Sequence, residues 1–349
     1  MTTAFDPAPT RLDDVLDPAW LSAMLSVRWP GTAVSKVAVV ETLITQATKV
    51  RIVLDFASAE PEVSRNLCIK GVLMPTGAPS TASVVETRFY REMASSFPVR
   101  VPQCVYAELN QAGTNGVVVM QDLIVAGAEF CGALAPFTPD EARKSLDQLA
   151  RLHATAWQGS VIFETKWIPR FLDQIGSAPI MPLARLQALL DGAKGKNLPG
   201  SVKDAARLQC ALQALAGQVL EQPGCLVHGD AHAGNLYRHG DEVGLVDWQI
   251  LQKGEWAQDV AYHIATVLTP EDRAAHERAL LDHYREKLKS LGGPPLAPEP
   301  AWERYRAALV YGYYLWAITQ KVEPAITNEF TRRLGLAVAD HRSLELLGA

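Results

Sequence analysis

The sequence predicts an α+β chain in two parts: an N-terminal five-stranded antiparallel sheet with a helix, over residues 1–122, and a larger, mainly helical part over residues 123–349. Three observations carry this. Residues 34–72 and 101–122 contain short apolar runs with strand-like composition, bounded by turn residues. From Thr138 onward the apolar spacing becomes helical and opens on a capping signal. The helical part is interrupted at residues 226–259, where LVHGDAHAGNLYRHGDEVGLVDWQILQKGEWAQD hangs four aspartates, one asparagine and three histidines on short apolar runs.

The elements follow in order. Residues 1–12 are rich in Pro, Thr and Ala and are expected to fray. Asp17 and Pro18 provide an N-cap and a first-turn proline for a helix whose apolar face is Trp20, Leu21, Met24 and Leu25, and Pro30-Gly31 stops it. Strands follow as KVAVVETLI, VRIVLDF and NLCIKGV. Lys70 lies inside the third, and a charge in an apolar strand demands a partner. The helix expected over 81–94 offers Glu86, with Phe89 and Tyr90 as its apolar stripe. Two further strands end in VVVMQDL, residues 117–123. Thr138 and Glu141 form a capping box, and the helix they open is expected to run to about Trp157, with His153 as a packed core histidine. Amphipathic helices are expected over 181–190 and 202–220. Within the polar stretch, residues 236–238 and 243–248 read as a hairpin through the turn HGDE, its second strand delivering Asp247. Asp259 opens the helix DVAYHIATVL and is expected to cap it and brace the loop before it, and residues 270–346 are helical apart from the GGPP break at 292–295.

Composition bounds the function. A chain of 349 residues holds one large or two modest domains. A hydrophobic share of 48%, 20% charged residues and a net charge of −5 describe an ordinary globule without the basic surplus of a nucleic-acid or anionic-membrane binder. The five cysteines are scattered and form no CxxC pair, which points to a reducing compartment. The first residues show neither a basic nor an apolar signal region, and no run nears the roughly 20 apolar residues of a membrane span, so the expectation is a cytoplasmic protein.

The chemistry sits in the interrupting stretch. Asn235 follows Asp230 after four intervening residues, the spacing of a kinase catalytic loop, in which the aspartate accepts the proton of the attacking hydroxyl and the asparagine ligates Mg²⁺. Asp247 adds the carboxylate that a hard cation bridging two phosphates requires. An alternative treats His228, His232 and His263 as zinc ligands, but Gly229 and Gly234 argue against the helical register that such a pair needs. With HGDAHAGN, LVDWQ and DVAYHIA in hand, the chain resembles the small-molecule kinases of the aminoglycoside phosphotransferase and choline kinase kind, most closely their ecdysteroid-kinase-like branch.

The resemblance implies a bilobal protein-kinase-like fold, ATP and Mg²⁺ as cofactors, and particular roles. Asp230 is the expected base, Asn235 and Asp247 the metal ligands, Lys70 the contact to the α- and β-phosphates and Glu86 its orienting partner. Backbone groups of Gln121 to Leu123 are expected at the adenine. The phosphate loop falls at residues 45–49, TQATK, where the family pattern departs: there is no glycine, and Thr45 and Thr48 are the candidate contacts. Only 12 positions separate Asp247 from Asp259, too few for an activation segment that docks peptides, and Gly229 stands where protein kinases have arginine. The acceptor is therefore expected to be a small-molecule alcohol. The tyrosines of AWERYRAALVYGYYLW, among them Tyr305, Tyr311 and Tyr313, suggest an apolar one if they wall the pocket, and core packing if they do not. An aminoglycoside or choline/ethanolamine kinase, or a catalytically weak kinase-like binding protein, are the alternatives, and the sequence leaves the oligomeric state open.

Overall fold

The computed structural model describes residues 5–57, 62, 64–73 and 78–349. It divides into two compact units: the first holds residues up to Ser96, Val101–Glu129 and Asp247–Gln249, and the second holds Phe97–Arg100, Phe130–Val246 and Ile250–Ala349. The architecture is α+β.

The first unit is built on a five-stranded antiparallel sheet of β1 (Val34–Ile44), β2 (Thr48–Phe56), β3 (Asn66–Gly71), β4 (Cys104–Leu109) and β5 (Gly116–Gln121), in the order β1-β2-β3-β5-β4. Side chains alternate across a strand, so the sheet has two chemically distinct faces. Val50, Ile52, Leu54, Leu67, Ile69, Val117 and Val119 turn to one face and close a core with Trp20, Leu21, Met24 and Leu25. These last four line the helix α2 (Pro18–Ser26), which follows the one-turn α1 (Leu12–Val15) and is capped by Asp17 through the Ala19 N–H. Lys49 and Lys70 alternate with that core and lie directly opposite each other in the β2–β3 register.

Residues 1–4 of the segment expected to fray lie outside the described residues, whereas residues 5–12 are held. Ala8 is fully buried, Tyr106 donates its hydroxyl to the Pro7 carbonyl at 2.7 Å, and Trp20 donates its indole N–H to the Asp6 carbonyl at 2.8 Å. The expectation of fraying fails there because aromatic donors reach back to the segment's backbone.

The helix α3 (Thr81–Glu92) starts on Ser80, whose hydroxyl accepts the Ser83 N–H, and buries Glu86, Phe89 and Tyr90. It packs on β4 and β5. Gly116 of β5 is where that packing is tightest: a Cβ there would stand 2.1 Å from Thr87 Oγ1.

The second unit is mainly helical. Its elements are α4 (Pro139–Thr155), α5 (Phe171–Ser177), α6 (Leu183–Asp191), α7 (Ala205–Leu220), α8 (Trp256–Val267), α9 (Pro270–Ser290), α10 (Pro298–Ile318), α11 (Pro324–Asp340) and α12 (Ser343–Leu346). The expected capping box of α4 forms, with Thr138 Oγ1 accepting the Glu141 N–H and the Glu141 carboxylate accepting the Thr138 N–H. Every residue of α8 is buried, with α10, α4 and α11 packed against it. Small antiparallel pairings accompany the helices, among them Cys225–Val227 with Gln252–Gly254 and the hairpin Leu236–His239 with Glu242–Leu245.

Two boundaries differ from the sequence reading. The second hairpin strand ends at Leu245, so Asp247 stands beyond it, in a turn with φ 66°. The helix α8 begins at Trp256 on an N-cap at Glu255, whose capping box with Gln258 releases Asp259 from capping.

Gly116→Ala is predicted to destabilise the protein by about 1–3 kcal/mol, the usual range for forcing an extra carbon into a packed interior. The contact with Thr87 leaves the added methyl no space. Urea unfolding at pH 7 checks it, and an unchanged midpoint would show that α3 and β5 separate freely.

Candidate active site

In the first unit the chemistry gathers around Lys70. Its ammonium lies 2.8 Å from Glu86 Oε1 and 2.8 Å from Asp247 Oδ1, and the Lys70 and Glu86 side chains are only 5% and 3% exposed. Burial by itself would lower the lysine pKa, but the charges of Asp247 and Glu86 outweigh it and hold the ammonium above its ordinary value. Burial raises Glu86, with Lys70 opposing. Asp247 is lowered: burial works against its charge, and the two lysines beside it win.

The second of those lysines is Lys49, whose Nζ is 3.3 Å from Asp247 Oδ2. Sequence reasoning passed over Lys49, and its signal was its place directly after the glycine-free turn. Asp247 is one of two non-glycine residues among those described that adopt a positive φ. Its neighbour pins the turn: the Trp248 N–H donates to Glu86 Oε1 at 3.2 Å, and the Trp248 ring stacks on Phe89 with centroids 3.9 Å apart.

At the end of β5, Gln121 is half-buried and donates its N–H to Gln103, and Asp122 donates its own to Asn66. The Asp122 carboxylate accepts from Arg51 Nε at 2.8 Å and from the Ile124 N–H at 3.0 Å, which fixes the backbone through Leu123. Thr45 sits in the tight turn after β1, and Thr48 opens β2 and is 3% exposed.

In the second unit the loop between Val227 and Leu236 presents Asp230 and Asn235. Gly229 at its start has φ 81°, and a Cβ there would fall 2.3 Å from the Ile250 carbonyl oxygen, so no side chain fits. Asp259, from the first turn of α8, accepts the His228 N–H at 2.7 Å and the Gly229 N–H at 2.9 Å. His153 donates its Nε2 proton to the same carboxylate at 3.2 Å while Nδ1 accepts from Tyr284. The bracing expected of Asp259 is therefore present, and His153, fully buried, is part of the brace.

Both oxygens of Asp230 are held. The Tyr262 hydroxyl donates to Oδ1 at 3.0 Å and the Asn235 amide donates to Oδ2 at 3.0 Å. Burial, with the charge of Asp230 adding to it, pushes the Tyr262 phenol well above its ordinary value and keeps it a donor. Tyr262 is a site residue that the sequence reading missed. Its position in DVAYHIA places it one turn after Asp259 on the same helix, which was the available signal.

Two of the three candidate histidines are hydrogen-bonded within the protein through both ring nitrogens. His228 accepts the Asp230 N–H on Nδ1 and donates from Nε2 to the Val246 carbonyl. His263 donates from Nδ1 to the Ala231 carbonyl and takes the Ser145 hydroxyl on Nε2. Among the described residues no group of three His, Cys, Asp or Glu side chains is placed to hold a metal ion.

The tyrosine wall is corrected. Tyr305, Tyr311 and Tyr313 are each fully buried, and their hydroxyls donate to Glu277, the Gly229 carbonyl and the Val202 carbonyl. A helix covered by α8, α7 and α11 turns its aromatics inward as core, and Tyr311 reaches the loop only to hold its backbone.

The fold is the α+β, kinase-like one. A model described as the phosphotransferase enzyme family matches residues 75–308. This is most of the chain, and the chain belongs to that family, whose members are kinases acting on small molecules. Among solved structures it is similar to a microcompartment-associated aminopropanol kinase, at 16% identity over 89% of this chain and 94% of that one with a TM-score of 0.52. It is also similar to a macrolide 2′-phosphotransferase from Brachybacterium faecium, at 16% identity over 93% and 98% with a TM-score of 0.50. No curated protein matches the chain. Among the described residues no helix is long and apolar enough to cross a membrane.

The buried His263 sets a pH dependence. Burial lowers its pKa to about 4 from 6.5, so it stays neutral in the fold while the unfolded chain takes up a proton near pH 6.5. The stability it contributes is whole above pH 6.5 and falls as the pH drops to about 4, by on the order of 3 kcal/mol in total. Ring-carbon NMR of the folded protein is expected to show no titration of His263 above pH 5, and a midpoint near 6.5 would contradict it.

Proposed function

We propose that the protein transfers the γ-phosphate of Mg·ATP to a hydroxyl of a small molecule, with Asp230 as the base. The observation that carries this reading is the Asp230 carboxylate held on both oxygens, in a loop whose own backbone is fixed by Asp259 and Tyr311. A carboxylate aimed in this way takes a hydroxyl proton without first reorganising. The acceptor's proton passes to Asp230, and the Tyr262 and Asn235 donors keep the carboxylate oriented while its charge changes.

The residues present suit the donor. Two lysines converge on one carboxylate, the charge pattern that receives a polyphosphate with its cation. Mg²⁺ takes few protein ligands, chiefly oxygens, and here the Asp247 carboxylate and the Asn235 amide oxygen would hold it. The Asn235 nitrogen donates to Asp230, so its amide oxygen is the atom we assign to the metal. When bound, the cation neutralises the charge of the phosphoryl oxygens. We assign Lys70 to the α- and β-phosphates with Glu86 as its orienting partner, the backbone from Gln121 to Leu123 to adenine, and Thr45 and Thr48 to the edge of the phosphate site.

An alcohol of low charge remains our reading of the acceptor, on a different basis from the tyrosine wall. Beside Asp230, the His232 ring packs against Tyr262, Trp316 and Phe330 at centroid distances of 5.9, 5.0 and 5.2 Å, an aromatic rather than acidic setting. Placement in the ecdysteroid-kinase-like branch and action in the cytoplasm belong to the same proposal.

ADP release across a panel of small alcohols, aminoglycosides and choline or ethanolamine tests the acceptor. Phosphorylation of an aminoglycoside alone would replace the low-charge reading, and no turnover with any acceptor would favour a binding protein. Asp230→Asn is expected to lower kcat by roughly 10²–10⁴-fold while Mg·ATP affinity stays within about twofold. Retained turnover would remove Asp230 as the base. Asp247→Asn is expected to weaken Mg·ATP binding by about tenfold or more through loss of a charged ligand, read by titration calorimetry.

A further inference from the structure

We propose that Lys49 is a second phosphate-binding cation of the nucleotide site, standing in for the backbone donors that a glycine loop would provide. The proposal rests on the reading that the protein binds Mg·ATP.

The turn between β1 and β2 closes on itself. The Thr45 N–H donates to the Ala47 carbonyl at 3.0 Å, the Thr45 hydroxyl leans on the same oxygen at 3.4 Å, and Ala47 is only 4% exposed. Glycine loops hold phosphates because bare backbone lets N–H groups point at the ligand. Here an N–H at the tip is spent inside the turn, and none of residues 45–49 is a glycine.

The next residue on the strand brings a charge instead. Lys49 lies directly across from Lys70 in the β2–β3 register. Like charges directly opposite each other on antiparallel strands are destabilising, so such a pair persists where an anion bridges it. In this structure the bridge is Asp247, 2.8 Å from Lys70 and 3.3 Å from Lys49. Glu86 gives Lys70 a carboxylate of its own, whereas among the described residues Lys49 forms an ion pair with Asp247 alone. Once Asp247 turns to a metal ion, Lys49 needs a new anion, and the polyphosphate that arrives with the metal is the anion available.

Accessibility separates the cations on this face. Lys70 is 5% exposed and fixed, and Arg51 is clamped between Asp122 and Glu41 at 2.8 and 2.9 Å. Lys49 is 32% exposed and among the described residues pairs with a single carboxylate, the longest of these contacts. It is the cation that can change partners without leaving a buried charge unpaired.

Titration calorimetry of the full chain with MgADP and with adenosine tests this, on wild type, Lys49→Gln and Lys49→Arg. Loss of a charge-assisted phosphate contact is expected to weaken MgADP binding by roughly tenfold in Lys49→Gln. Adenosine affinity is expected to stay unchanged, and Lys49→Arg to keep most of the MgADP affinity. MgADP binding equal to wild type in Lys49→Gln overturns the proposal, and so does an equal loss for adenosine, which marks a distorted pocket. A wild-type protein that binds neither MgADP nor MgATP defeats the nucleotide reading itself and the Lys49 role with it. Thermal unfolding of each variant identifies any loss that comes from misfolding.

Discussion

A buried ammonium cannot stay charged in an apolar sheet unless carboxylates surround it, and Lys70 makes that demand at the centre of the first unit. Desolvating an ion of this size costs several kcal/mol, so its partners are obligatory. Glu86 answers from α3 and Asp247 from a segment far along the chain. Much else in the unit serves this ion cluster. The tight approach of Gly116 to Thr87 lets α3 lie close enough for Glu86 to reach. Trp248 ties the Asp247 turn to Glu86 and to Phe89. The left-handed backbone at Asp247 is a conformation that aspartate tolerates at modest cost, and the ion pairs over-determine it.

The second unit solves a different problem, that of holding a polar loop still beside a helical core. Its solution is a set of buried acceptors and donors aimed at the loop's backbone rather than its side chains. Asp259 receives two consecutive N–H groups, and Tyr311 donates to the carbonyl between them and Asp230. Tyr262 and Asn235 hold the Asp230 carboxylate itself. The same helix α8 supplies Asp259 and Tyr262 one turn apart, so one rigid element fixes both the loop and the orientation of its carboxylate. The aromatic richness of α10 belongs to this support, since its tyrosines pack inward and spend their hydroxyls on backbone and carboxylate oxygens.

The absence of glycine from the turn after β1 and the lysine that follows it are best understood together. Backbone donors need room at the phosphate, whereas an ammonium on a four-carbon stem reaches across a closed turn. Asp247 and Glu86 together also neutralise the lysine pair. The balance of Lys49, Lys70, Glu86 and Asp247 is two cations against two anions.

Local and periodic features were legible in the sequence. Apolar runs bounded by turn residues gave the strands, Asp17-Pro18 and the Thr138/Glu141 capping box gave helix starts, and the isolated charge of Lys70 announced a need for a partner, because these depend on residues a few positions apart. What the sequence could not decide was which of several plausible neighbours a side chain meets. Tyr305, Tyr311 and Tyr313 have the same spacing whether they face a ligand or a core, and only the packing of α7, α8 and α11 around α10 turns them inward. Lys49 reads as the last residue of a loop until the β2–β3 register sets it against Lys70, and Asp247 reads as a strand residue until its turn is seen. Tyr262 and Asp230 are 32 positions apart, and nothing local links them. Chain-local hydrogen bonding and hydrophobic periodicity are written in adjacent residues. Strand register, helix rotation and the pairing of buried charges are settled only when distant segments compete for the same space.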